Sequence, residues 1–150
     1  MTRRVVGFVD GQNLFYAAKQ AFGYTYPNYD PRRLTEVVAE AQGWTVAGIR
    51  FYTGVPDRSD NPFWNGFWAA RCDAMASEGV VAFTRPLRYR NETVDLPGGG
   101  KGTARIGREK GIDVRMALDI VRLVRLGPAT WLWSSARIRI CPRSPTRYAR

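Results

Sequence analysis

The chain has 150 residues, a hydrophobic fraction of 45% and a formal net charge of +10 at pH 7. This length is enough for one domain with a hydrophobic core, and the hydrophobic fraction argues against intrinsic disorder. The sequence contains no histidine, which excludes a histidine general base and most zinc sites, so any catalysis is expected to use carboxylates, lysine, tyrosine or a hard metal ion.

The net charge suggests a polyanionic partner such as RNA or DNA, but the charge is unevenly distributed. Residues 120–150 contribute +7, whereas residues 1–119 contribute +3. The body of the chain is therefore mildly basic, and an arginine-rich tail accounts for most of the charge.

Two further features indicate the cellular compartment. No apolar run approaches the length of a membrane span and no signal peptide is evident, so we expect a cytoplasmic protein with no membrane partner. Cys72 and Cys141 have no metal or redox spacing, and we interpret them as free thiols.

The first part of the sequence predicts a buried strand followed by two helices. An apolar run from Val5 to Val9 predicts the strand, which ends in Asp-Gly. The stretch "QNLFYAAKQAF" predicts the first helix. Asp30 and Pro31 are typical of an N-cap and a first helical position, and they predict a second helix that ends at Gly43.

The rest of the sequence continues the alternation. "TVAGIRFYTG" predicts a strand, "NPFWNGFWAARCDAMASEG" a helix, "VVAFTRPLRYR" a third strand and "LPGGGKGTARIG" a flexible loop. "GIDVRMALDIVRLVRLG" predicts an amphipathic helix with Ile112, Met116, Ile120 and Leu123 on one face, and "ATWLWSS" predicts a fourth strand.

This alternation predicts an α/β fold. We expect a mainly parallel sheet with the first strand in its centre and helices on both faces. In sheets of this kind the functional site lies at the carboxyl ends of the strands.

Asp10 stands at such an end, directly after the first predicted strand. Asn13 lies three residues further on, in the first helical turn, where it is placed to bind a substrate or to orient Asp10. The alternative for Asp10 is an Asp-Gly turn or a helix N-cap without chemistry.

The long amphipathic helix carries two more candidate acids. Asp113 lies in its first turn, where the helix dipole alone favours an acid. Asp119 lies between two apolar residues, and its alternative is a solvated side chain. Lys110 precedes the helix and is placed to meet a phosphate.

Carboxylates that converge at the strand ends would bind Mg²⁺ or Mn²⁺, because both ions prefer oxygen ligands. Such an ion activates a water molecule and stabilises charge on a phosphoryl group. This chemistry requires no histidine.

The stretch "GGGKGT" is not a P-loop, because Asp95 replaces its first glycine and Gly102 its serine or threonine. The cations around it either contact a nucleic-acid backbone or are merely solvated. They are Arg88, Arg90, Lys101, Arg105, Arg108 and Lys110. We interpret Trp64, Phe67 and Trp68 as packing residues rather than as base-stacking platforms.

Four segments occur in an order that resembles a known family: "VVGFVDGQNLFY", "IRFYTG", "GVVAFTRPLRYR" and "KGIDVRMALDIVRL". Together they resemble the NYN domain of the PIN-like ribonuclease superfamily, particularly its LabA-like branch. The resemblance covers roughly residues 4–126, and its specific parts are "FVDGQN" and "KGIDV…LD". It implies a Rossmann-like sheet with an acidic, metal-dependent site and single-stranded RNA as the substrate.

The resemblance also implies roles for particular residues. Asp10 and Asp113 match the metal-binding acids of the family, and Asn13 and Asp119 match supporting residues of its catalytic site. Members of the family complete the site with a serine-x-Asp-x-Asp motif after the fourth strand, but this chain reads "SSARIRI" there. We therefore expect an impaired enzyme. Lys110 and Arg108 are the expected substrate contacts.

The tail is consistent with a shift of reading frame near residues 127–128. Isoleucine codons always begin with AU, so an arginine codon that ends in G gives GAU, aspartate, in the shifted frame. Such an Arg-Ile pair ends at Ile138 and another ends at Ile140. With permitted codons, the tail in the shifted frame reads "DVAVVVSQDQDLSEVADEVRE", which contains the missing motif. We interpret residues 1–128 as an incomplete NYN domain and residues 129–150 as an aberrant basic tail. The alternative is a genuine basic tail with its own function.

Three classes of function follow from the sequence. The first is a metal-dependent endoribonuclease, and the second is a non-catalytic RNA-binding or regulatory module with the same fold. The third is a small-molecule phosphatase or nucleotide-binding protein, which only the "VDG" at a strand end suggests.

Overall fold

A computed structural model describes residues 3–126 and 131–134 of the chain. The strands are β1 (Arg3–Asp10), β2 (Trp44–Val55), β3 (Val80–Pro86), β4 (Arg88–Asp95), β5 (Lys101–Arg108) and β6 (Trp131–Ser134). The helices are α1 (Gly11–Phe22), α2 (Pro31–Ala41), α3 (Pro62–Ser77) and α4 (Ile112–Leu126).

The main sheet has four parallel strands in the order β3-β2-β1-β6. The first strand is central, because it pairs with β2 on one side and with β6 on the other. The predictions of a parallel sheet, a central first strand and a fourth strand at "ATWLWSS" are therefore confirmed. An unbroken apolar run suits β1 because a central parallel strand is covered on both faces.

Helices cover both faces of this sheet. One core is formed by β1, β2 and α4, and it contains Val6, Phe8, Tyr52, Ile112, Met116 and Ile120. The core of the other face contains Val9, Ile49, Phe51, Met75 and Val80, and Trp68 of α3 packs against it. Side chains of β1 alternate between these cores, as the period of two in a strand requires. The α/β architecture and the apolar face of α4 agree with the sequence pattern.

The predicted start of α2 is also confirmed. Asp30 caps the helix by accepting hydrogen bonds from the backbone N–H groups of Arg32 and Arg33, and Pro31 occupies the first position. Asn61 caps α3 in the same way by accepting from Trp64 N. In both cases a side-chain oxygen satisfies N–H groups that have no partner within the helix.

The interpretation of residues 80–108 was wrong in two respects. The third strand does not continue through "LRYR", because β3 ends at Pro86. The predicted flexible loop is instead the second half of an antiparallel hairpin, in which β4 pairs with β5 from Arg88↔Arg108 to Asp95↔Lys101. The hairpin turn contains three consecutive glycines, residues 98–100, each with positive φ. Glycine adopts these angles without steric cost, and backbone hydrogen bonds from Leu96 N to Gly100 O and from Gly99 N to Leu96 O close the turn.

Some expectations lie outside the described residues. Apart from β6, the tail from residue 129 onward is not described, and neither is the expected boundary near residue 128. Within the described part of the chain, no helix is long and apolar enough to cross a membrane.

Candidate active site

Asp10 lies at the carboxyl end of the central strand and is only 5% exposed. It is also the N-cap of α1, since one carboxylate oxygen accepts a hydrogen bond from the backbone N–H of Asn13 at 2.9 Å. The other oxygen accepts from Asn13 Nδ2 at 2.8 Å. Asn13 therefore orients Asp10. The capping role and a chemical role are compatible, because both need the carboxylate in this position.

Gly11 allows α1 to begin close to the sheet. A β-carbon at this position would lie 2.4 Å from Cζ of Phe51, which is far inside van der Waals contact. Tyr29 supports the same turn by donating a hydrogen bond from its hydroxyl to the carbonyl oxygen of Gly11 at 2.7 Å. The backbone around Asp10 is thus held from two sides.

Glu109, which the sequence analysis did not single out, is an acidic residue of the same site. It directly follows β5, and its Oε2 accepts a hydrogen bond from the backbone N–H of Gly54 at 2.8 Å. Burial raises the pKa of Glu109 against the effect of this bond, and the charges of Asp10 and Asp113 raise it further. The negative charges of three segments therefore act on one region.

The sequence did contain a signal for Glu109. An acid at the end of a strand is the same feature that identified Asp10. It was missed because β5 was interpreted as a loop, so that no strand end was expected before Lys110.

Asp113 lies in the first turn of α4, as expected, and is exposed. Burial has the larger effect on the pKa of Glu109, and the negative charges of Asp113 and Asp10 raise it further. Among residues 3–126 and 131–134, however, no group of three or more acidic, histidine or cysteine side chains converges closely enough to hold a metal ion. Carboxylates remain suitable ligands for Mg²⁺ or Mn²⁺, and the assignment of Asp10 and Asp113 to such an ion stays a prediction.

Asp119 is only 7% exposed, and its partners lie at the interface between α4 and β2. Its Oδ2 accepts hydrogen bonds from Tyr52 Oη and from Arg115 Nε, each at 3.0 Å, and Arg50 Nη1 lies 3.9 Å away. Burial acts to raise the pKa of Asp119, but the bonds from Arg115 and Tyr52 and the two arginine charges outweigh it, so the pKa is lowered. The alternative of a solvated side chain is therefore wrong.

The two expected substrate contacts differ in their surroundings. Arg108 donates two hydrogen bonds of 2.6 Å to the carboxylate of Glu92 across the hairpin, so its charge is already paired. Lys110 is exposed beside Glu109, and its backbone carbonyl accepts a hydrogen bond from Arg85 Nη1 at 3.3 Å. The charge of Arg108 is thus engaged by a carboxylate, whereas the side chain of Lys110 is exposed to solvent.

A cavity of about 360 Å³ opens beside the acidic residues. Its lining includes Gly11, Phe15, Tyr16, Trp64, Trp68 and Glu109. Trp68 stacks on Phe51 with ring centroids 5.9 Å apart, which agrees with its interpretation as a packing residue. Trp64 and Trp68 nevertheless both contribute to the cavity wall, which the sequence analysis did not anticipate.

Comparison with known proteins does not add to this description. No protein-family model, curated protein or solved structure matches the chain. The functional assignment therefore depends on the residues and distances described above.

Proposed function

We propose that this chain derives from a metal-dependent endoribonuclease of the NYN type, a member of the PIN-like superfamily, which acts on single-stranded RNA. The observation that supports this proposal is the position of Asp10 and Glu109 at the carboxyl end of the parallel sheet, together with Asp113 in the helix that follows Glu109 in the chain. Asp10 ends β1, Glu109 directly follows β5 and Asp113 lies in the first turn of α4. The charges of Asp10 and Asp113 both act on Glu109.

The donor set suits Mg²⁺ or Mn²⁺, since carboxylate oxygens are hard ligands. Asp10 and Asp113 would hold the ion, and Glu109 is a further candidate ligand. A bound divalent ion would supply an activated water molecule and stabilise charge on the phosphate. It would also offset the repulsion from Asp10 and Asp113, which adds to the larger effect of burial in raising the pKa of Glu109.

Other residues would position these acids or the substrate. Asn13 fixes the carboxylate of Asp10 through two hydrogen bonds. Asp119 fixes α4 against β2 through Tyr52, and this contact holds the helix that carries Asp113. Lys110 would neutralise a phosphate at the rim of the site.

We further propose that a change of reading frame near residues 127–128 removes part of this site from the 150-residue chain. β6 runs parallel to β1, and Ser134 pairs with Phe8, two residues before Asp10. Acids supplied directly after β6 would therefore belong to the same edge of the sheet as Asp10. This chain has Ile138 and Ile140 where the other frame would encode aspartates if the preceding arginine codons end in G. We expect the 150-residue chain to be poorly active for this reason.

An RNA cleavage assay tests the proposal. The 150-residue chain and a chain with the restored frame would be incubated with Mn²⁺ and a panel of single-stranded RNAs. We expect the restored chain to cleave RNA faster than the 150-residue chain does. We expect Asp10→Asn and Asp113→Asn to abolish cleavage by the restored chain. Asp95→Asn, at an exposed hairpin position, is the matched control. Equal cleavage by the Asp10→Asn variant would overturn the assignment.

A non-catalytic RNA-binding module is the second candidate. The observation in its favour is that the described residues contain no group of three converging metal ligands. Such a module would bind RNA without cleaving it in either reading frame. Gene sequencing and the assay above separate the two candidates, because only the first requires a single-base change that restores S-x-D-x-D.

A further inference from the structure

The cavity beside Asp10 has walls of aromatic side chains. Phe15 and Tyr16 contribute from α1, and Trp64 and Trp68 contribute from α3. Glu109 and Thr53 supply polar groups to the same lining. A small volume with flat apolar walls and a few polar groups is typical of sites for planar heteroaromatic ligands.

The aromatic surface continues outside the cavity. Trp64 lies 5.3 Å from Tyr26 and 5.1 Å from Phe67, measured between ring centroids. Tyr26 is 49% exposed and Phe63, which contacts Trp64 edge to face, is 60% exposed. Exposed aromatic side chains grouped in this way offer several stacking surfaces in addition to the cavity.

Exposed basic residues neighbour the cavity lining in the sequence. The hairpin reaches the cavity through Leu87 at its base, and Arg88 and Arg90 are exposed on β4. Lys110 is exposed directly after Glu109. A cavity with aromatic walls and adjacent cations matches a ligand with flat bases and a negative backbone, which is the chemistry of single-stranded RNA.

We propose that this cavity is a base-binding subsite, in which one nucleobase of a single-stranded RNA stacks against Trp64. The proposal rests on the proposed function, because it assigns the cavity to the same RNA substrate. The backbone phosphate next to the bound base then lies toward Asp10 and Glu109. The subsite selects unpaired RNA, since a base in a duplex cannot enter it.

Equilibrium binding in EDTA tests the subsite without any cleavage. The probes are a short fluorescein-labelled single-stranded RNA and an abasic strand with the same number of phosphates. We expect the chain to bind the RNA about 5- to 100-fold more tightly than the abasic strand, which is the range for stacking one base. Trp64→Ala should remove most of this preference and leave binding of the abasic strand unchanged.

Two further variants separate stacking from folding. Trp64→Phe retains an aromatic ring and should preserve most of the preference for RNA. Phe22→Ala removes an aromatic ring that is 71% exposed at the other end of α1, and it should change nothing. The proposed subsite would be overturned if Trp64→Ala and Trp64→Phe lost the preference for RNA to the same extent. An undiminished preference for RNA in Trp64→Ala would also overturn it.

The outcome is independent of the ribonuclease assignment. A preference for RNA that depends on Trp64 supports the subsite even if neither reading frame gives cleavage with Mn²⁺. Conversely, cleavage that depends on Asp10, combined with equal binding of RNA and abasic strands, would overturn the subsite and leave the ribonuclease in place.

Discussion

Asn13 donates hydrogen bonds to both carboxylate oxygens of Asp10, from its backbone N–H at 2.9 Å and from its side chain at 2.8 Å. The first bond caps α1, and any residue at position 13 except proline can make it. The second bond requires the amide side chain. The pair therefore combines a structural contact with one that fixes the direction of a buried acid.

Asn13→Ala tests the second contact. The variant keeps the backbone cap, so we expect it to lose only about 1 kcal/mol of unfolding free energy. We expect its apparent affinity for Mn²⁺ to fall about tenfold or more, because residues that orient ligands have effects of this size. Urea unfolding and a Mn²⁺ titration measure the two quantities. A large loss of stability with unchanged Mn²⁺ affinity would contradict the orienting role.

Glu109→Gln tests the raised pKa of Glu109, which burial raises most and the charges of Asp10 and Asp113 raise further. The pKa of Glu109 is raised in the folded chain above the ordinary value of 4.5. The folded state therefore favours the protonated form of Glu109. The free energy of unfolding falls as the pH rises from the ordinary pKa through the raised one. Glutamine keeps an acceptor for Gly54 N and has no charge. We expect the variant to gain stability relative to the parent chain over that pH range.

Chemical denaturation at a series of pH values checks this prediction in the absence of divalent ions. The unfolding free energies of the parent chain and the variant should converge at acidic pH, where Glu109 is protonated in both the folded and the unfolded state. Parallel stability curves at every pH would show that the pKa of Glu109 is not raised in the folded chain. Added Mn²⁺ should narrow the difference at neutral pH by stabilising the parent chain.

Asp119→Asn tests the contact between α4 and β2. The pKa of Asp119 is lowered in the folded chain, so its contribution to stability is present above the ordinary pKa of 3.8 and is lost as the pH falls through the lowered value. We expect a loss of about 1–3 kcal/mol at neutral pH, because hydrogen bonds to a charged group are weakened. The loss should disappear in acid, which denaturation at both pH values would reveal. A deficit that persists unchanged in acid would rule out the charge as its cause.

Gly11→Ala tests the close approach of α1 to the sheet. The added methyl group would lie 2.4 Å from Phe51, and we expect overpacking to cost about 1–3 kcal/mol. Gly66→Ala is the matched control, since Gly66 lies in α3 and nothing stands within 4 Å of its β-carbon position. The control should gain up to about 1 kcal/mol from helix propensity. Thermal unfolding of both variants checks that Gly11→Ala lowers the stability and that Gly66→Ala raises it.

Much of the main sheet could be predicted from local patterns. The apolar run of β1 requires burial on both faces, and the N-cap at Asp30 is a local signal that tertiary contacts did not override. Asp10 was found because a polar residue after such a run stands at a strand end. These features depend on residues close together in the sequence.

The hairpin and its consequences could not be predicted as easily. Pro86 interrupts a run of strand-forming residues, and three glycines resemble a flexible loop, although they form a tight turn between paired strands. Glu109 was hidden by that error. The partners of Asp119 could not be predicted from the sequence either. Tyr52 lies 67 residues away in the chain, and only the packing of α4 brings the two together.

The direct measurement of Mn²⁺ binding tests the central claim, that Asp10 belongs to a metal site. Electron paramagnetic resonance of a Mn²⁺ titration detects the loss of the free-ion signal on binding. The account predicts weak binding by the 150-residue chain, none detectable in Asp10→Asn, and no change in Asp95→Asn at an exposed position. Binding by Asp10→Asn that equals binding by the parent chain would contradict it.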